Sequence, residues 1–289
     1  MHEIQAKSIL SAKNGINIYR GCQHGCIYCD SRSLCYNMQH EFEDVAVKTN
    51  ALSLLKDALI KKRKKCMIGM GSMSDPYMPL EGELCYTRRF LQLLDFHGFG
   101  GTLITKSDLV LRDLDIIKSI NKKAKFVLQM TMTTFDEHLC KIVEPNVATT
   151  KRRAEVLNVM RDNDVPTVVW LSPVLPFIND NADNINGILD YCIQAKVKGI
   201  ICFGMGMTLR DGNREYFYQK LDEHFPGIKD KYKLLYGNSY QIVSFANSKL
   251  SKIFYDRCRQ HGIMTDVNEI FEYINHFEEK QSQLSLFDF

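Results

Sequence analysis

The sequence predicts an α/β chain in which parallel strands curl into an open barrel covered by helices. Two patterns carry that expectation. Six strand-length apolar runs alternate with helix-length amphipathic runs, which favours a parallel sheet, and right-handed crossovers curl such a sheet into a barrel. Ser74, Asp75, Lys106, Thr131, Thr133 and Pro173 fall at or just beyond the ends of those strands, where barrel enzymes place their chemistry. The 289 residues are ordinary for such a fold.

Taken in order, Asn14 to Arg20 alternates like a strand and runs directly into a group of cysteines. The periodicity then predicts a helix over 49–64, a strand over 66–71, a helix over 84–97 and a strand over 101–105. Helices over 112–121, 150–163 and 182–195 alternate with strands over 125–131, 166–172 and 198–203. The repeat stops near residue 213. Helices are expected over 213–224, 247–261 and 266–279, followed by a tail without clear periodicity. The expected organisation is therefore a barrel core over 1–212, a helical extension over 213–280 packed on it, and an exposed tail over 281–289. No solenoid repeat is visible.

With 45% hydrophobic and 25% charged residues and seven prolines, the composition is that of a globular chain able to bury a core. The net charge of +3, from 37 basic and 34 acidic residues, is too mild to indicate nucleic-acid binding by itself. The basic run Lys61 to Lys65 reads as a helix terminus facing the negative end of its dipole, with a phosphate patch as the alternative. Neither a signal-peptide core nor a run approaching the ~20 apolar residues of a membrane span is present, so a cytoplasmic location and no membrane partner are expected. Ten cysteines in such a chain point to metal binding or reactivity before disulfides.

Three of them, Cys22, Cys26 and Cys29, lie within eight residues. One loop can place these soft thiolates around one metal centre, and three ligands leave a position open on a four-iron cluster. Gly21 and Gly25 relieve the backbone where it winds closely. A Cys3His zinc site that includes His24 and a chance grouping of core thiols are the alternatives. Zinc normally closes with a second ligand pair, and none is obvious at a distance.

The segment from Tyr19 to Asp30 contains CxxxCxxC and resembles the radical S-adenosylmethionine (SAM) superfamily. More narrowly it is similar to the spore photoproduct lyase-like branch, often described as DNA repair photolyase-like. Gly71 to Glu81, Thr105 to Ser107 with Arg112 and Asp113, Glu144 and Pro145 with Arg153, and Ser172 to Asp180 extend the resemblance. It implies a partial (β/α)6 TIM-type barrel in which Cys22, Cys26 and Cys29 hold a [4Fe-4S] cluster. SAM would be cleaved reductively to a 5′-deoxyadenosyl radical, with electrons from a donor such as flavodoxin or ferredoxin. It also implies that Tyr28 contacts the adenine side of SAM, that Ser74 and Thr131 are polar contacts, and that Lys106 and Arg153 meet the carboxylate. Each has a plainer reading: Tyr28 packs, Ser74 or Thr131 caps a turn, and Lys106 or Arg153 pairs with Asp108, Asp113 or Glu144. Asp75, before Pro76, reads as a turn residue.

One position departs from the branch. Spore photoproduct lyase carries a hydrogen-donating cysteine three residues before the aspartate of the second-strand motif, and here that position is Ser72. A serine O–H bond is far stronger than a thiol S–H bond, so repair of spore photoproduct by the same route is not expected. The scattered cysteines 66, 85, 140, 192, 202 and 258 read as core residues. Cys35, six residues past Cys29, has packing and a redox or substrate-facing role as its two readings.

Near the C-terminus, Gln283-Leu-Ser-Leu-Phe287 resembles the pentapeptide by which bacterial polymerases and repair proteins engage the DNA sliding clamp. Leu284, Leu286 and Phe287 would fill an apolar pocket while Gln283 bonds at its rim. A tail folded back on its own core is the alternative. Three functions follow: a radical SAM enzyme acting on nucleic acid in a repair-like reaction, one acting on a peptide or small metabolite, and a non-enzymatic iron–sulfur sensor bound to the clamp.

Overall fold

The computed structural model describes residues 1–280. The chain opens with three short strands, β1 (His2–Ile4), β2 (Gly15–Ile16) and β3 (Tyr19–Arg20), and the cysteine loop follows β3. Then come β4 (Ala46–Lys48), α1 (Ala51–Lys61), β5 (Met67–Met70), α2 (Glu81–Leu84), α3 (Tyr86–His97) and β6 (Gly100–Thr105). The alternation continues through α4 (Leu114–Lys123), β7 (Phe126–Thr131), α5 (Glu137–Val143), α6 (Thr150–Asp162), β8 (Thr167–Trp170), α7 (Ala182–Gln194) and β9 (Gly199–Ile201). The remaining elements are β10 (Gly206–Thr208), α8 (Asn213–His224), α9 (Ile228–Tyr236), β11 (Gln241–Val243), α10 (Asn247–Gln260) and α11 (Val267–Asn275).

The main sheet has six strands in the order β2-β5-β6-β7-β8-β9, every neighbouring pair parallel. This is the partial barrel expected from the alternation. Parallel strands covered on both faces read as continuous apolar runs. Accordingly all six residues of β7, Phe-Val-Leu-Gln-Met-Thr, are buried. Its polar member is satisfied inside the sheet: Gln129 Nε2 donates to Thr102 Oγ1 at 2.8 Å, and its carbonyl oxygen accepts from Trp170 Nε1 at 2.8 Å.

Helix ends follow local chemistry. Asp136, Thr149 and Asn181 cap α5, α6 and α7 by accepting from backbone amides of the first turn. At the other end of α3, Gly98 takes the left-handed conformation (φ +67°) that terminates the helix. The amphipathic α4 turns Ile116, Ile117 and Ile120 into the core.

The expected strand over 14–20 divides between two sheets. Gly15 and Ile16 pair with Gly69 and Met70 in the barrel, whereas Tyr19 and Arg20 pair antiparallel with β4 in a separate β1-β4-β3 sheet. Ile16 and Ile18 keep the alternation, and it breaks at Ile18–Tyr19, both buried, where the chain passes from one sheet to the other. Beyond residue 212 the chain is not purely helical. Strand β11 returns to pair antiparallel with β10, and α9 lies between two of the expected helices. Leu250, Phe254 and Cys258 of α10 belong to the same apolar core as Ile185, Ile188 and Cys192 of α7. Helix α11 lays Ile270 and Ile274 against a cluster that includes Val127, Val168 and Ile201 of the sheet. No described helix is long and apolar enough to cross a membrane. Gln283, Leu284, Leu286 and Phe287 lie outside the described residues.

Candidate functional site

The cysteine loop is built between two backbone supports. On one side the Cys22 amide donates to the Phe42 carbonyl at 3.0 Å, and Gly21 (φ +92°) comes so close that a Cβ there would lie 2.4 Å from that oxygen. Only glycine fits. On the other side the end of α5 and the turn after it clasp the loop: Ile27 N–H donates to Val143 O at 3.0 Å, Asn146 N–H to His24 O at 3.1 Å, and Asn146 Nδ2 to Gln23 O at 2.9 Å. His24 Nδ1 lies 2.7 Å from the Asn146 carbonyl, which can only accept, so Nδ1 carries a proton.

Asp75 is the hub that joins this loop to two strand ends. Its carboxylate accepts from the Tyr77 amide (2.8 Å), Thr105 Oγ1 (2.7 Å) and the Lys106 amide (2.7 Å). His24 Nε2 also stands 3.1 Å from Oδ2. Burial alone would raise the Asp75 pKa. The His24 and Lys106 charges and the Thr105 hydrogen bond outweigh it and bring the group down to about 2. The turn read from Asp-Pro is present, and the same carboxylate also organises the site.

A second buried network lies on the far side of the loop. Arg153, fully buried, pairs with Glu144 and donates to Ala148 O (2.8 Å), Thr131 O (2.7 Å) and Cys140 Sγ (3.0 Å). The Tyr28 hydroxyl donates to the other oxygen of Glu144. Burial disfavours the Glu144 carboxylate, yet Arg153 and Lys106 hold it below the usual range. The pairing of Arg153 with Glu144, one of its two sequence readings, is the contact present, and the guanidinium is engaged on every nitrogen.

Lys106 is differently placed. Its backbone is fixed by Asp75, but among the described residues nothing accepts a hydrogen bond from its ammonium. Burial would lower its pKa, but Cys26, Glu144, Asp75 and Cys29 raise it to about 12, so it is a cation facing the sulfurs. Ser74 is buried and donates to Tyr19 O at 3.0 Å, and Thr131 is buried at the end of β7. Ser72 is exposed.

Cys22 and Cys26 are buried and Cys29 is half-buried. Burial pushes the Cys22 thiol up to about 12 and Cys26 well above its ordinary value, so iron must displace protons to bind. The three sulfurs are not all within 4.8 Å of one another. Tetrahedral zinc with Zn–S bonds near 2.3 Å needs its thiolates about 3.8 Å apart. Three thiolates on one loop suit three corners of a four-iron cluster and leave the fourth iron open. The unpartnered Lys106 ammonium beside it fits a carboxylate-bearing ligand.

Of the remaining thiols, Cys140, Cys192, Cys202 and Cys258 are buried as expected, whereas Cys66 and Cys85, also expected in the core, are only half-buried. Cys35 is exposed, which removes the packing reading, and its sulfur accepts from Arg210 Nη1 at 3.3 Å. Sequence reasoning passed over Gln23, Asn146 and the organising part of Asp75. The one available signal was the polar run Gln23-His24 between Cys22 and Cys26.

The open parallel barrel thus carries, at the ends of its strands, three loop cysteines and a lysine that has no hydrogen-bond acceptor among the described residues. The chain matches the Radical SAM superfamily over residues 16–218 and belongs to it. Its cofactors are accordingly a [4Fe-4S] cluster and SAM. A protein of Methanocaldococcus jannaschii is 35% identical over 179 residues, 61% of this chain and 66% of that protein. A protein of Mycobacterium tuberculosis is 27% identical over 250 residues, 81% of this chain and 73% of that one. Among solved structures, a spore photoproduct lyase variant with bound SAM and dinucleoside spore photoproduct superposes with a TM-score of 0.62. That alignment covers 87% of this chain and 75% of the lyase at 11% identity, a likeness of fold.

Proposed function

We propose that Cys22, Cys26 and Cys29 ligate three irons of the cluster, that Lys106 holds the SAM carboxylate, and that the substrate is a nucleic acid. Reductive cleavage of bound SAM supplies the 5′-deoxyadenosyl radical that takes a hydrogen atom from the substrate. The protein's own work is positional. Asp75 fixes the Lys106 backbone and meets His24 of the cluster loop, while Tyr28, Ser74 and Thr131 border the cofactor space. Arg153 is a positioning residue that keeps Glu144 charged and Tyr28 in place. The single observation that carries this reading is the half-buried Lys106, a cation beside Cys26 and Cys29 whose ammonium has no hydrogen-bond acceptor among the described residues.

Support for a nucleic-acid substrate comes from a cavity of about 240 Å³ next to the cluster loop, lined by Asn17, Arg20, Gly21, Lys48, Met73 and Ser74. Lys48 donates to the Asn17 carbonyl, and Arg20 to the carbonyls of Tyr36 and Asn37. These partners are neutral, so two positive charges face the cavity without a carboxylate, an arrangement suited to phosphate. The likeness to a lyase holding a dinucleoside, and the Gln283 to Phe287 motif resembling a clamp-binding peptide, point the same way. Electron transfer from a flavodoxin or ferredoxin, and a barrel core over 1–212 with an extension over 213–280, belong to the same reading.

The test is anaerobic reconstitution followed by dithionite, SAM and single-stranded DNA. The expected result is 5′-deoxyadenosine whose yield rises with DNA, and an Arg20→Ala, Lys48→Ala variant in which that rise falls about ten-fold. No 5′-deoxyadenosine under any condition defeats the enzymatic reading, and a yield indifferent to DNA defeats the substrate. For the tail, binding to the bacterial sliding clamp that survives deletion of residues 283–289 removes the clamp from the account.

A further inference from the structure

A second set of metal-binding side chains lies away from the cysteine loop. His2 in β1, His40 in the loop before β4, and Asp44 near the end of that loop each offer one donor atom, and these atoms all lie within 4.8 Å of one another. His2 Nδ1 is 2.8 Å from Asp44 Oδ2, and the two imidazole rings meet edge to face with centroids 4.6 Å apart. The other Asp44 oxygen lies 3.0 Å from the Met1 nitrogen.

The state of His40 is the informative feature. Its Nδ1 lies 2.9 Å from the Glu41 carbonyl, which only accepts, so Nδ1 carries the proton and a neutral ring leaves Nε2 as a bare lone pair. That Nε2 is shielded from solvent and has no hydrogen-bond partner. A shielded acceptor without a partner is costly and calls for an explanation. Imidazoles that bind metals commonly present one nitrogen to the ion while the other donates to a backbone carbonyl.

We propose that His2, His40 and Asp44 form a binding site for a divalent transition-metal cation of the zinc class, with a fourth position open to water. Two imidazoles and one carboxylate suit zinc, whereas calcium and magnesium prefer shells of oxygen. Bonds of 2.0–2.2 Å in a tetrahedral site need donor atoms about 3.4 Å apart, which small rotations of these half-exposed side chains supply. The ion would displace the proton shared by His2 and Asp44 and tie β1 to the loop over 37–45. That loop carries Phe42, whose carbonyl receives the Cys22 amide, so the cation would brace the segment against which the cysteine loop is built.

The experiment dialyses the cluster-loaded protein against zinc with a competing chelator and measures zinc and iron together by mass spectrometry. The expected result is about one zinc per chain in addition to full iron, with affinity weakened at least about ten-fold by His40→Ala and by Asp44→Asn while iron stays constant. The constant iron shows that both variants remain folded and that the zinc is not on the cysteines. No zinc retained at tens of micromolar overturns the proposal. So does zinc that persists in His40→Ala, or zinc gained only in step with iron lost. The outcome is independent of SAM cleavage.

Discussion

Asp75 Oδ2 accepts the backbone amide of Lys106 at 2.7 Å while the same residue faces His24 of the cysteine loop at 3.1 Å. One carboxylate therefore sets the distance between the loop that carries the sulfurs and the cation that faces them.

The first consequence is a pH dependence. Asp75 is held at about 2 against an ordinary 3.8, so its contribution to stability is fully present above pH 3.8 and is lost as pH falls through 2. The difference corresponds to about 2 kcal/mol, of which roughly half has gone by pH 3. Urea unfolding of the cluster-free protein and of Asp75→Asn at pH 6 and pH 3 checks this. The gap between wild type and variant is expected to narrow by about 1 kcal/mol; an unchanged gap contradicts the assignment.

Lys106→Ala is expected to weaken SAM binding by about ten-fold or more, the worth of one charge-assisted hydrogen bond, with iron content unchanged. Equilibrium binding on the reconstituted protein measures it. Loss of iron in place of SAM affinity would show that the ammonium supports the sulfurs and does not meet the cofactor.

Arg153→Ala leaves the Glu144 carboxylate buried without its partner, and breaking such a pair costs about 3–5 kcal/mol. The variant is expected to unfold at lower denaturant, and Arg153→Met combined with Glu144→Gln to recover most of the loss. A loss of SAM affinity at full stability would instead make Arg153 a direct ligand of the cofactor.

Ser72 is exposed and carries a hydroxyl that cannot return a hydrogen atom as a thiol does. The reduced enzyme with SAM is expected to leave dinucleoside spore photoproduct unrepaired by that route. Efficient turnover measured by chromatography contradicts this.

The parts of the site written as neighbours in sequence were the legible ones. Cys22, Cys26 and Cys29 announce themselves within one loop, and β5 to β9 announce themselves as apolar runs between amphipathic helices. Relationships across the chain were not legible. Asp75 looks like a turn residue because its other partners, Thr105 and His24, are distant in sequence and nothing local records their approach. Arg153 looks available until Glu144, nine residues earlier, is seen to fold back onto it across the end of α5. Strands β10 and β11 of three residues each are too short to show a period, which is why the sequence assigns no strand to either segment.

In the proposed function three sulfurs hold an iron–sulfur cluster with one iron left for SAM. The direct measurement is iron and sulfide content with electron paramagnetic resonance of the reduced, anaerobically reconstituted protein, before and after SAM. The expected result is about four irons per chain, a signal that changes when SAM is added, and loss of both in Cys22→Ala, Cys26→Ala or Cys29→Ala. Zinc at the three cysteines, or a full iron complement that survives their replacement, would contradict it.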